Sequence, residues 1–109
     1  MAENQMRPIH PGEILREEFL APLAMTPHAL SKALHVTPAR INDIVNEKRG
    51  VSADTALRLA RYFGGEPQSW LNLQQAYDLK MATRAGLERI LAEVRPRPPG
   101  DGDKAALAA

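Results

Sequence analysis

The sequence predicts an all-α fold, and three observations support this fold class. Apolar residues recur at spacings of three and four along most of the chain, as they do on the buried face of a helix. Proline follows a polar residue at several points where such a pattern begins, which is a common start of a helix. No segment alternates apolar and polar residues over the length of a strand. We therefore expect helices joined by short connections.

The first helix is expected to begin at Pro11, after a flexible arm over residues 1–9 that has few packing signals. Proline suits the first helical position, and Glu13 then lies near the positive end of the helix dipole. Pro22 is expected to end this helix, because the residue before a proline avoids the α conformation. The apolar face of the helix consists of Ile14, Leu15, Phe19 and Leu20.

Two short helices with the same start signal are expected in the middle of the chain. Thr26-Pro27 and Thr37-Pro38 each place a capping hydroxyl before a proline at the first helical position. Val36 lies between these helices and is expected to fill the corner where they meet. Two short helices that cross steeply around one small core form a helix-turn-helix, whose second helix enters the major groove of DNA. The facing apolar residues are Leu30, Ala33 and Leu34 on the first helix and Ile41, Ile44 and Val45 on the second.

Two further helices are expected after this motif. The fourth extends from its cap at Ser52 to about Phe63, where two glycines stop it. Glu66-Pro67 begins the fifth, which either continues past Gly86 or is followed there by a short separate helix. The apolar stripes of this region are Trp70, Leu73, Tyr77 and Met81 and, further on, Leu87, Ile90, Leu91 and Val94.

These stripes have few partners in a chain of 109 residues, so a homodimer contact is the expected place to bury one of them. Residues 10–94 would then form one domain for DNA binding and dimerisation. Residues 95–109 are rich in proline and glycine, and we expect them to be a disordered tail. The residues assigned to the dimer interface are Trp70, Leu73, Tyr77, Leu87 and Leu91.

The composition is that of a globular protein, with 44% hydrophobic and 25% charged residues. The chain contains no cysteine, which excludes disulfides and thiolate metal sites and fits a cytoplasmic location. No apolar run is long enough for a membrane span or a secretory signal. The formal net charge is only +1, so a DNA-binding face has to come from local clustering of charge.

The second helix of the motif carries the residues that we expect to meet DNA. Arg40 can bind a phosphate or bridge O6 and N7 of guanine with its planar fork. Asp43 can accept from a cytosine amino group or orient Arg40, three residues earlier. The expected base-reading residues are Thr37, Ala39, Arg40, Asn42 and Asp43. The expected phosphate-binding residues, some of them at helix N-termini, are His28, Lys32, Pro38, Lys48 and Arg49.

Each of these residues also has a simpler interpretation. Asn42, Asp43 and Asn46 are equally expected on a solvated helix face. Lys48 and Arg49 can merely complement the negative end of the helix dipole. Two Thr-Pro caps, matching apolar faces and the basic residues after the second helix, Lys48 and Arg49, occur together. This combination indicates a DNA-binding helix-turn-helix more specifically than any of the features alone.

No catalytic or metal site is indicated. Glu13, Glu17 and Glu18 crowd one helix, but such a run is usually a solvated face rather than an acid/base pair. The histidines lack a metal-binding spacing such as HExxH, and no glycine-rich phosphate loop occurs. We therefore expect no enzymatic activity, no cofactor and no metal.

With these residues in view, the chain resembles the HigA-type antitoxins, a branch of the XRE (phage-repressor-like) helix-turn-helix family. The resemblance covers about residues 10–81 and depends on the segments HPGEILREEFLAPL, LHVTPARINDIVNEKR, SADTALRLARYFG and WLNLQQAYDL. It implies a five-helix phage-repressor-like domain that acts as a homodimer on a palindromic operator, here with a C-terminal helical extension. It also implies a toxin partner similar to the RelE-type ribonucleases, which the antitoxin neutralises while it represses their shared operon.

A basic ribonuclease favours an acidic surface, so Glu13, Glu17 and Glu18 are the candidate toxin contacts. Two alternatives stay open. One is a stand-alone repressor of the same fold with no toxin. The other is a protein-interaction module that has lost DNA binding, which the modest net charge keeps open.

Several positions depart from the pattern of this family. The family commonly has glycine where Ala24, His35 and Glu47 stand at helix ends, and glycine enters the left-handed conformation at less cost than other residues. We therefore expect tighter or altered turns there. Base recognition is expected to depend on few side chains and on DNA shape, because glutamines familiar from related repressors are absent. Pro38 and Ala39 stand in the places of these base-reading glutamines, whereas Pro27 replaces a glutamine that binds phosphate in many related repressors.

Overall fold

The computed structural model describes residues 7–99, which form five helices and no strand. The predicted all-α fold is therefore confirmed for this part of the chain. Most of the expected arm and tail, residues 1–6 and 100–109, lies outside the described residues. None of the helices between residues 7 and 99 is both long and apolar enough to cross a membrane. The helices are α1 (residues 11–23), α2 (Pro27–Leu34), α3 (Pro38–Val45), α4 (Ala53–Phe63) and α5 (Pro67–Glu93).

Helix α1 contains a wide turn and continues past the point where the sequence predicts its end. Its middle section, Leu15–Leu20, has π geometry, and the amide of Ala21 donates to the carbonyl of Arg16, five residues earlier. A proline in a regular helix clashes with the carbonyl four residues before it, and this wider turn has already shifted the bonding register by one residue. Pro22 therefore lies inside the last turn, and the prediction that it ends the helix is wrong.

The five helices surround one apolar core, and each helix contributes at least one buried side chain to it. Leu30 of α2, together with Ile41 and Ile44 of α3, is fully buried, as are Leu15 of α1 and Leu59 of α4. The predicted caps are present. Thr26 Oγ1 accepts from the amide of Ala29 at 3.0 Å, Thr37 Oγ1 from that of Arg40 at 3.2 Å and Ser52 Oγ from that of Thr55 at 3.3 Å. Val36, between α2 and α3, packs against the core as expected.

The first half of α5 packs on its own chain. Trp70 is only 5% exposed, and its ring centroid lies 5.3 Å from that of Phe19. Leu73 packs against the core, and Tyr77 meets the ring of His10 edge-on at 4.8 Å. The sequence predicts Trp70 in the dimer interface, but its burial within one chain leaves almost none of its surface for a second subunit.

The second half of α5 extends away from this core. The helix passes through Gly86 without a break, so the continuous alternative is correct and no separate helix follows. Its apolar side chains stay exposed, with Leu87 at 40% and Leu91 at 70%. The exposed stripe on residues 87–94 is completed by Ile90 and Val94.

Three side-chain-bearing residues end helices or turns in the left-handed conformation. They are Ala24 (φ 51°), His35 (φ 58°) and Glu47 (φ 61°), the positions at which the family pattern has glycine. The expectation of altered turns is therefore wrong. The backbone keeps the left-handed geometry, and each residue bears the steric cost of its Cβ atom.

Replacing Ala24 with glycine is expected to stabilise the domain by about 1 kcal/mol, because the left-handed conformation no longer meets a Cβ atom. Thermal unfolding should show a midpoint about 4–8 °C higher than that of the wild type. The same substitution at Ala29, an exposed position within α2, is the matched control and should destabilise by about 1 kcal/mol. Equal effects of the two substitutions would contradict strain at Ala24.

Candidate nucleic-acid interface

Helix α3 exposes one side, which carries Ala39 and Asn42, and buries the opposite side. Ile41, Ile44 and Val45 are buried against the other helices, as the sequence predicts. This burial fixes the rotation of the helix about its axis and directs the intervening positions outward. Of the expected base-reading residues, Thr37, Ala39 and Asn42 are exposed, whereas Arg40 and Asp43 are partly buried.

The expected phosphate-binding residues are all exposed. His28 lies in the first turn of α2 and Pro38 in that of α3, so both stand beside amides that have no partner within their helix. Lys48 and Arg49 follow the end of α3. The complete exposed set is His28, Lys32, Pro38, Lys48 and Arg49.

The partner of Arg40 is not the one that the sequence predicts. Its Nη1 donates to Asp54 Oδ2 at 2.7 Å and, at 3.4 Å, to the hydroxyl of Thr55, both at the beginning of α4. Asp43 instead accepts from Arg49 Nη2 at 3.3 Å. Of the two roles predicted for Asp43, the orientation of Arg40 is therefore wrong, and acceptance from a cytosine amino group stays a prediction. Asp43 pairs with Arg49, which follows the end of α3, whereas Arg40 is held by residues of α4.

Asp54 and Arg58 are site residues that the sequence interpretation missed. Arg58 Nε donates to Asp54 Oδ2 at 2.8 Å, and Arg58 Nη1 donates to the carbonyl of Leu34 at 2.8 Å. Hydrogen bonds from Arg58 and then from Arg40 lower the pKa of the Asp54 carboxyl. The spacing of Asp54 and Arg58 is a recognisable helical pair, but nothing in the sequence connects that pair to α3.

The acidic residues of α1 are partly neutralised by their own chain. Glu13 makes two hydrogen bonds with Arg7, at 2.8 and 2.7 Å, and these lower the pKa of its carboxyl. Glu17 pairs with Arg16 at 3.0 Å. Among residues 7–99, no cation forms an ion pair with Glu18, which is exposed.

Arg16 also connects α1 to α3. Its Nη1 donates to the carbonyl of Val45, the last residue of α3, and its Nη2 lies 3.6 Å from the carboxylate of Glu47. These bonds satisfy part of the C-terminal end of α3, where carbonyls lack partners within the helix. The position of α3 therefore depends on α1 as well as on the apolar core.

Two short capped helices, the second with a buried apolar side and an exposed polar side, define a helix-turn-helix protein of the DNA-binding class. Residues 15–70 match the helix-turn-helix family model. The chain is 70% identical over 80 residues to virulence-associated protein I of Dichelobacter nodosus. The matched region covers 73% of this chain and 74% of that protein. It is 39% identical over 80 residues to antitoxin HigA-1 of Vibrio cholerae, with 72% of this chain and 74% of that protein covered.

A solved structure supports the same assignment. Pseudomonas aeruginosa antitoxin HigA, determined with the higBA promoter, superposes with a TM-score of 0.81 at 51% identity. The match covers 84% of this chain and 100% of that one. The chain belongs to the XRE-type helix-turn-helix family, and its predicted resemblance to the HigA-type antitoxins is confirmed.

Proposed function

We propose that the protein is an antitoxin and transcriptional repressor that binds its operator as a dimer, with α3 of each subunit in the major groove. The observation that carries this proposal is the exposed N-terminal half of α3, held in place by the buried Ile41 and Ile44. The promoter present in the Pseudomonas aeruginosa HigA structure supports DNA as the ligand of this fold. Two recognition helices would occupy successive major grooves about 34 Å apart.

Within this proposal, the residues on α3 have different roles. Arg40 bridges a guanine, Thr37 and Asn42 supply further hydrogen bonds, and Ala39 contacts a thymine methyl group. Asp43 contributes to base reading through its pair with Arg49, which places a cation beside an acceptor. The phosphate contacts come from His28, Lys32, Lys48 and Arg49 and from the amides next to Pro38, and they position the protein without reading sequence.

Substituting Arg40 with alanine tests the proposal. Binding to the DNA upstream of the protein's own gene should weaken by about 1–3 kcal/mol, with relaxed preference at one base pair. Binding to random DNA of the same length should change much less. Gel shifts at two salt concentrations measure both affinities, because non-specific binding depends strongly on salt.

Arg95 provides the matched control, since it is exposed, follows α5 and carries the same charge. Arg95→Ala should leave the preference for the operator intact. An equal loss of affinity for operator and random DNA in Arg40→Ala would make Arg40 a phosphate anchor. Binding that is absent at both salt concentrations in the wild type would favour the protein-interaction module instead.

The proposed dimer uses the exposed half of α5. Leu87 and Leu91 lie on the exposed stripe, and a second copy of the same helix would bury both. Tyr77 and Leu73 are half-buried against their own chain and would contribute only the edges that remain accessible. Trp70 has no part in this contact.

The proposed toxin partner is a RelE-like ribonuclease, with the acidic side of α1 as its docking surface. Glu18 and the 60% exposed side chain of Glu17 supply the accessible charge, while Glu13 is engaged by Arg7. Expression of a short neighbouring reading frame should arrest growth, and co-expression with this protein should relieve the arrest. A harmless neighbour would favour a stand-alone repressor. Unchanged toxin affinity after charge reversal at Glu13, Glu17 and Glu18 would contradict this surface.

A further inference from the structure

We infer that Asp54 is a positioning residue for operator recognition, which holds Arg40 in the orientation required for guanine. This inference rests on the proposed function and adds a specificity determinant outside the recognition helix. The observation behind it is that Arg40, on α3, forms its side-chain hydrogen bonds with the first turn of α4. The side chain is therefore ordered before any DNA arrives.

The contacts around Asp54 form a chain that ends on backbone atoms. Asp54 Oδ2 accepts from Arg40 at 2.7 Å and from Arg58 at 2.8 Å. Arg58 is itself fixed by donation to the carbonyls of Leu34 at 2.8 Å and of His35 at 3.4 Å. Those carbonyls belong to the C-terminal end of α2 and the turn before α3. The carboxylate is thus held between both helices of the motif and α4.

The bonds to Arg40 leave a suitable part of its guanidinium for DNA. Both start from Nη1, so Nη2 and Nε remain as two parallel donors on one edge of the planar group. Two parallel donors are what the O6 and N7 acceptors of guanine require. Fixing a long side chain in advance also reduces the conformational entropy that binding would otherwise cost.

Asp54 prepares Arg40 for guanine, but its negative charge opposes the binding of a phosphate by the same side chain. Its negative charge lies beside the cation that a phosphate would approach, and its side chain is 55% exposed. Removal of that charge should favour contacts with any DNA backbone. Positioning and simple repulsion therefore predict different results for operator and random DNA.

The experiment compares Asp54→Asn with the wild type on the upstream DNA and on random DNA. We expect the ratio of operator to random affinity to fall by about tenfold, with random binding unchanged or stronger. The substitution is nearly isosteric at an exposed site, and circular dichroism establishes that the variant is folded. Glu66→Gln removes the same charge from an exposed site just before α5 and should leave the ratio unchanged.

A double-mutant cycle separates positioning from general structural support. If Asp54 acts through Arg40, Asp54→Asn should have no further effect on the affinity ratio in an Arg40→Ala background. The same ratio in Asp54→Asn as in the wild type, or the same loss with and without Arg40, would overturn the inference. In either case a wild type that still prefers its operator leaves the proposed function standing. A wild type without that preference would overturn both.

Discussion

Gly12→Ala is expected to destabilise the domain by about 3 kcal/mol or more, since the added methyl group meets backbone. A Cβ atom on Gly12 would lie 1.7 Å from the carbonyl oxygen of Ile44, far inside van der Waals contact. The added Cβ atom and the carbonyl oxygen are both fixed to the backbone, so α1 and α3 would have to separate to make room. Urea unfolding should show a lower midpoint with an unchanged slope.

The same contact links stability to DNA binding. Gly12 lies in the first turn of α1, where its amide donates to Nδ1 of the buried His10 at 2.8 Å. Burial lowers the pKa of His10, which keeps Nδ1 available as an acceptor. Ile44 belongs to α3, so any displacement caused by Gly12→Ala moves the recognition helix. Operator affinity should therefore fall even under conditions in which the variant is folded.

Gly86→Ala provides the control for this prediction. Gly86 lies inside α5, and a Cβ atom there would have no neighbour within 4 Å. Alanine is the better helix former by about 1 kcal/mol, so this substitution should stabilise the domain. A Gly12→Ala variant as stable as Gly86→Ala would show that α1 and α3 are not in the close contact described.

The helix-turn-helix was predictable because its signals are local. Thr26 and Thr37 cap amides three residues away, and the apolar spacing identifies the buried side of each helix. The partner of Arg40 was not predictable in the same way. Asp54 lies fourteen residues further along the chain, and only the packing of α4 brings the two together.

Two other differences have equally physical causes. The rule that proline ends a helix assumes regular α geometry before it, and the π turn of α1 removes that condition at Pro22. Apolar spacing also shows that one side of a helix is buried, but not against which partner. Trp70 and Leu91 both fit the spacing on α5, yet Trp70 is covered by its own chain and Leu91 is 70% exposed.

The exposed stripe on residues 87–94 is the place where we expect two copies of the chain to meet. Helix α5 has 27 residues and is therefore about 40 Å long, and its residues that pack on the core, Trp70, Leu71 and Leu73, lie in its first half. Leu87 and Leu91 are four residues apart on one side of the helix, and both are exposed in the single chain. Exposed leucines at this spacing are typical of a seam between two helices.

The double substitution Leu87→Lys and Leu91→Lys is expected to convert the protein to a monomer, because a symmetric seam would have to bury four added charges. A monomer engages one half-site at a time, so operator affinity should fall by about 100-fold or more. Sedimentation and gel shifts measure the two effects.

Ala85→Lys with Ala92→Lys adds the same charge on the opposite side of α5 and should leave both properties nearly unchanged. If the leucine variant stays dimeric and binds as the wild type does, the seam lies elsewhere. If the control variant dissociates as well, added charge rather than loss of the stripe explains the result.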